Sequence, residues 1–254
     1  ERGVVRSRFR LPALRGRPIA IFLGLPVLVA VLFVLVYLGA VFIGGDLLGL
    51  PSFGTVATAA AAISEGAAKL VGAEAVAAAG PPPPASVLLL AGIWGAAVAG
   101  WTINGLFAMG EEYGWRGLMW EALQHRGIVQ ANLVIGSVWG LWHAPVILQG
   151  YNYPDQPLLG VLAMMVFCTG MSLALTAVRR LTDSLLPVAA AHGTFNALAP
   201  ILLILAPGTD RVLTGPVGLA GALVLAAIGA GLWLMVRRRP ASTPGAARPT
   251  VHRR

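Results

Sequence analysis

Charge is what this sequence has least of. Asp, Glu, Lys and Arg make up 11% of its 254 residues, 57% are apolar and the mean hydropathy is +0.79, against about 25% charged and 45–50% apolar in soluble domains. That scarcity excludes a soluble domain and predicts an integral membrane protein. Cysteine is nearly absent as well: Cys168 stands alone, so no intrachain disulfide can form, and in its apolar run it reads as a small core hydrophobe. The formal net charge of +8 comes almost wholly from arginine. No basic face on a soluble fold accompanies it, which excludes a nucleic-acid partner. Inverted internal repeats are missing too, and with them the usual mark of a transporter.

What is present is a series of long apolar stretches. Residues 1–17, with Arg2, Arg6, Arg8, Arg10, Arg15 and Arg17, form a basic cytoplasmic arm that could also meet anionic lipid headgroups. Residues 18–42 are the first span, too long for a signal-peptide core of about 7–15 residues. Residues 50–79 carry Glu65, Lys69 and Glu74 and read as an external loop with an interfacial helix, a weak span being the alternative. The prolines at 81–84 end any helix there. Later spans are expected at 131–148, 157–178, 183–205 with Asp183 as its N-cap, and 212–236. Arg237, Arg238 and Arg239 stop insertion, and 240–254 is a disordered cytoplasmic tail.

The expected fold is therefore an all-α bundle of about six transmembrane helices, up to eight, over residues 18–239. Placing both termini in the cytoplasm of a bacterial cell puts 16 of the 18 Lys and Arg inside, leaving Lys69 and Arg211 outside. One stretch resists this scheme. Residues 86–123 would make a continuous helix of about 57 Å, too long for a hydrocarbon core of about 30 Å. It must tilt, break at Gly100, Gly105 or Gly110, or split.

Three segments place polar groups inside the apolar runs: Glu111-Glu112-x-x-x-Arg116, Trp139-x-x-x-His143 and His192-x-x-x-Asn196. An ionised side chain in hydrocarbon costs about 2.5–3.5 kcal/mol, so each needs a reason. Glu112 and Arg116, at i and i+4, can pair and make each other's burial tolerable. Glu111 points about 100° away and is left to accept a proton or to hold water or a metal. His192 and Asn196 share a face. At 1.5 Å per residue, Glu111 lies about 20 Å and His143 about 18 Å above the inner helix ends, so these two levels agree, and His192, at about 14 Å, falls within the margin of the assumed helix boundaries. Glu121, His125 and Arg126 read as interface residues, and 151–157 as an aromatic interfacial loop. Cys168 and Ser172 have no cue coupling them to a base, which weakens nucleophilic catalysis.

These ordered motifs, over roughly residues 105–200, resemble the CPBP family of intramembrane endopeptidases, the group that includes the CAAX prenyl protease Rce1 and bacterial bacteriocin-processing and immunity proteins. Trp139 departs from the phenylalanine usual in that family. The resemblance implies that Glu111 and His143 activate a water against a peptide bond of a membrane-associated protein or peptide, that His192 and Asn196 stabilise the oxyanion, and that Glu112 and Arg116 orient the site. It also raises a divalent metal such as zinc held by Glu111, His143 and His192, although no His-Glu-x-x-His helix is present; a metal-free Glu–His pair is the other option. A non-catalytic regulator, immunity protein or scaffold built on the same motifs is the competing reading.

The topology can be checked directly. Tags after Arg10 and after Arg239 are expected on the cytoplasmic face and a tag near Gly80 on the outer face, read by accessibility labelling in intact cells. Termini on opposite faces would mean an odd number of crossings.

Overall fold

The computed structural model describes residues 17–237. Within them the chain is a helical bundle with no strand beyond one isolated bridge between Phe53 and Thr209. Residues 1–16 of the basic arm and the whole 240–254 tail lie outside the described residues, as do Arg238 and Arg239. Helix is the expected outcome for these runs, because hydrocarbon offers no partner to backbone N–H and C=O groups and a helix pairs them internally.

Helix α1 (Arg17–Val41) runs on through π-helical turns at Phe42–Leu47. Two short helices, α2 (Ala60–Val71) and α3 (Ala73–Ala79), precede the proline stretch. After it come α4 (Ala85–Trp101) and α5 (Ile103–Glu112), which widens into π-helical turns at Tyr113–Met119 before α6 (Trp120–Leu123). Then follow α7 (Ile128–Trp142), α8 (Ala144–Ile147), α9 (Pro157–Thr182), α10 (Leu186–Leu205) and α11 (Leu219–Arg237).

Three segments, Ile19–Leu47, α9 and α10, are each long and apolar enough to cross a membrane. A fourth crossing arises if α4 and Ile103–Arg126 are counted as one span bent by 55°. The helices Ile128–Trp142 and Leu219–Met235 are apolar but shorter. Outward-facing Leu106, Phe107, Leu158 and Leu223 leave 73%, 74%, 76% and 71% of their surface open. A soluble protein rarely tolerates so apolar an exterior; lipid does.

The overlong run thus breaks, and it breaks beside Gly100, at Thr102. There the backbone leaves helical geometry (φ −123°, ψ −111°) and the Thr102 hydroxyl donates to the Val98 carbonyl at 2.7 Å. The bend is held by α10. A Cβ on Gly193 would come within 2.6 Å of the Gly105 nitrogen, and one on Gly105 would collide with the Gly100 carbonyl oxygen. Asn104 Nδ2 also donates to the Gly193 carbonyl at 3.3 Å. The result is that α5 approaches α10 one residue from His192.

Helix α9 lies between α7 and α11. Its contact with α7 is close because Gly136 and Gly140 face its backbone. A buried polar cluster tightens it further: Asn132 Oδ1 accepts from Ser172 Oγ at 2.6 Å and Thr176 Oγ1 at 2.8 Å. Aromatic packing joins α1, α9 and α10, with Phe195 edge-on to Phe33 (4.9 Å) and 5.4 Å from Phe167.

Some boundaries differ from those the sequence suggests. Asp183 closes α9 and does not open α10: it adopts the left-handed conformation (φ 50°), its N–H bonds the Arg179 carbonyl, and its carboxylate accepts from Arg179 Nη1 at 3.1 Å. The last helix starts at Leu219, seven residues later than 212. Residues 210–218 instead form turns, capped by the Asp210 carboxylate on the N–H groups of Val212 and Leu213. Those turns are tied to a strap at 52–57, where Thr55 and Ala57 donate to the Pro207 and Leu205 carbonyls and Asp210 donates to that of Ser52. The expected 131–148 span is also interrupted, ending as α7 at Trp142 and resuming as α8, whose first turn holds Pro145.

The glycine contacts at the bend carry a stability prediction. Gly105→Ala is expected to cost about 1–3 kcal/mol by overpacking, seen as a lower unfolding temperature in detergent. Gly95→Ala, at a position with nothing within 4 Å, should be neutral or stabilising. Equal effects would show that the bend is not fixed by close packing.

Candidate active site

The three polar segments converge. Glu111 near the end of α5, Trp139 on α7, His143 at the α7–α8 break, and His192 and Asn196 on α10 all line one cavity of about 250 Å³. Met164, Phe167, Cys168 and Met171 of α9, further apolar residues of α10 such as Phe195, and Tyr151 and Asn152 from the loop before α9 add to its wall. A larger cavity of about 410 Å³, between Lys69, Asp155 and the 206–212 turn, contains none of these polar residues.

The expected Glu112–Arg116 pair is present and fully enclosed. Arg116 Nη1 donates to Glu112 Oε1 at 2.9 Å, and both side chains have 0% exposure. The same oxygen lies 2.8 Å from His192 Nδ1. A carboxylate oxygen only accepts, so His192 carries its hydrogen on Nδ1 toward Glu112, leaving Nε2 for the cavity. Arg116 Nε and Nη2 have no hydrogen-bond partner. The Trp139 ring, 4.5 Å from the guanidinium carbon, covers the cation. Glu112 and Arg116 therefore hold His192 from behind, and neither lines the cavity.

Glu111 is half-buried and is not free in the way its helical position suggests: its Oε2 accepts the Trp139 indole N–H at 2.8 Å. His143, also half-buried, has Nδ1 at 2.9 Å from the Trp139 carbonyl oxygen. That bond requires hydrogen on Nδ1 and leaves Nε2 as a proton acceptor. Its position follows from Pro145, since α7 stops where the chain turns into α8. Asn196 is exposed one turn beyond His192, at the open side of the cavity.

The candidate zinc set does not assemble. Among the described residues no three His, Cys, Asp or Glu side chains come close enough together to hold a metal ion, although His143 and His192 each keep Nε2 free of a protein partner.

Sequence reasoning missed part of the wall. Cys168 faces the cavity among Met164, Phe167 and Met171, and the 151–157 loop is more than an interfacial turn. Tyr153 is fully buried, packs on Gly160 and donates its hydroxyl to the Val217 carbonyl at 2.5 Å, which brings Tyr151 and Asn152 over the site. Ser172 lies in the Asn132 cluster and does not line the cavity. Glu121, His125 and Arg126 are exposed and take no part in the cavity, as expected.

Comparison with known proteins gives the same region. Residues 86–198 match the family described as type II CAAX prenyl endopeptidase Rce1-like. A stretch of 49 residues is 41% identical to the CAAX prenyl protease 2 of Methanococcus maripaludis, covering 19% of this chain and 18% of that protein. The chain therefore matches less than a fifth of that relative's length. No solved structure matches the chain.

The enclosed pair predicts a non-additive mutant cycle. Glu112→Leu alone strands a buried cation and should cost about 3–5 kcal/mol, whereas Glu112→Leu with Arg116→Met should recover most of it. Unfolding of these two variants and of Arg116→Met alone in detergent measures this. Additive losses would mean that the pair is not energetically coupled.

Proposed function

We propose that this chain, whose residues 86–198 match the Rce1-like family, is an intramembrane endopeptidase, cleaving a peptide bond of a membrane-associated protein or peptide with a water activated by Glu111 and His143. The observation that carries the reading is the meeting of Glu111, His143, His192 and Asn196, drawn from separate helical segments, around one cavity.

The chemistry follows from the groups in place. Water held between Glu111 and His143 Nε2 gives a proton to the carboxylate as its oxygen bonds to the peptide carbonyl carbon. A carboxylate in a site shielded from water is well suited to this general-base work. The carbonyl electrons move onto oxygen, where Asn196 Nδ2 and His192 Nε2, when that nitrogen is protonated, donate to the charge. Glu112 accepts the Nδ1 hydrogen of His192 and so keeps Nε2 turned toward the cavity. The C–N bond then breaks as the proton taken by Glu111 passes to the leaving nitrogen. Substrate in the bilayer reaches the cavity at its open side, by Asn196.

The test uses purified full-length chain in liposomes with reporter peptides, with and without an S-prenyl cysteine. Wild type is expected to cleave, and to keep cleaving after exhaustive chelation. Glu111→Ala and His143→Ala should abolish turnover while remaining folded. Asn196→Ala should lower kcat about 100- to 1000-fold with little change in KM, as for an oxyanion donor. A raised KM at unchanged kcat would move Asn196 to substrate docking. A wild type that binds peptides without cutting them would favour the regulator or scaffold reading.

A further inference from the structure

Trp139 touches both halves of the water-activating pair. Its indole N–H, a group that can only donate, bonds Glu111 Oε2 at 2.8 Å, and its backbone carbonyl is 2.9 Å from His143 Nδ1. Both bonds start from one residue, so they set the two groups relative to each other. The ring itself is immobilised. It is 2% exposed, lies against the Arg116 guanidinium at 4.5 Å, meets His192 edge-on at 5.1 Å and is 6.4 Å from Trp115. Behind it, Gly136 and Gly140 let the α7 backbone sit directly on α9.

We propose that Trp139 is a positioning residue of the site: its N–H fixes one oxygen of Glu111 so that the other faces water, while its carbonyl fixes the ring of His143 with Nε2 toward the same water. This rests on the protease reading. A glutamate has three side-chain torsions, and among the described residues no other hydrogen bond restrains the half-buried Glu111 carboxylate. A charge-assisted N–H bond supplies that restraint. Phenylalanine would fill the ring's place and cover Arg116, but has no donor.

The experiment separates the donor from the packing. Trp139 is replaced by 3-benzothienylalanine, which keeps the fused rings and carries sulfur where the N–H was, and in parallel by phenylalanine (Trp139→Phe). The benzothienyl protein is expected to unfold at the wild-type temperature, with kcat lowered about 10- to 100-fold and KM within about twofold, the pattern of a misplaced reacting group. Turnover within about twofold of wild type would overturn the proposal, since packing alone would then suffice. A second readout needs no activity: in protein labelled with indole ¹⁵N, the Trp139 resonance should move on Glu111→Ala. A resonance that stays put overturns the contact. Absence of cleavage by wild type while that resonance still moves would overturn the protease reading and the catalytic role with it, and leave the contact standing, so the two failures are told apart.

Discussion

One carboxylate oxygen, Glu112 Oε1, holds the centre of this molecule together. It accepts from Arg116 within its own helix and from His192 on α10, and all three side chains are buried. Taking an ion out of water costs several kcal/mol even in a relaxed protein interior. Glu112 and Arg116 need each other there, and the same Glu112 oxygen takes the His192 N–H, so the arrangement fixes the rotation of α5 and of α10 about their axes. Once those rotations are set, Glu111 turns toward the cavity and His192 presents its remaining ring nitrogen to it. The residues with chemistry to offer are thus aimed by residues that offer none.

The helical geometry around that point is unusual in a way that serves it. An unbroken α-helix over residues 86–123 would carry the two glutamates along a straight rod. The 55° turn at Thr102 and the wider turns at Tyr113–Met119 redirect it. Wider turns add a residue per helical repeat and are often found where function needs a particular side chain re-aimed. The turn is possible because Gly100, Gly105 and Gly193 let two backbones touch. On α7 the corresponding device is Pro145, which ends the helix at His143. His143 stands at the α7–α8 break and Glu111 two residues before the wider turns, irregular backbone that a lipid-immersed chain tolerates only where it is buried or lines a cavity.

Much of the site was legible in advance because charge inside an apolar run has few explanations. Glu111, Glu112, Arg116, His143 and His192 declared themselves by being out of place, and the rise of 1.5 Å per residue was enough to put Glu111 and His143 at one level with His192 a few ångströms below. The all-helical fold followed from composition in the same way. What could not be read depends on contacts between distant parts of the chain. Nothing local says that Trp139 donates to Glu111 28 residues away in sequence, or that residues 52–57 pair with 205–210 and so delay α11 to Leu219. Asp183 illustrates a milder case: aspartate before a helix usually caps it, yet aspartate also tolerates the left-handed conformation, and Arg179 one turn back decided the matter. Cys168 was read as core, and it is buried; only assembly shows that the core surface it belongs to is a cavity wall.

The size of that cavity sets a condition on anything that reacts inside it. An α-helix with its side chains is about 10–12 Å across, and a space of about 250 Å³ walled by Phe167, Phe195 and Met171 cannot take one. A transmembrane segment lying intact beside α10 is therefore excluded however well it binds the outer surface. Only chain already drawn out of helical shape can bring a carbonyl between Glu111 and Asn196. On the proposed protease reading, selectivity would lie as much in how readily a segment unwinds as in its side chains. Helix ends and stretches weakened by glycine or proline meet that condition at the smallest cost.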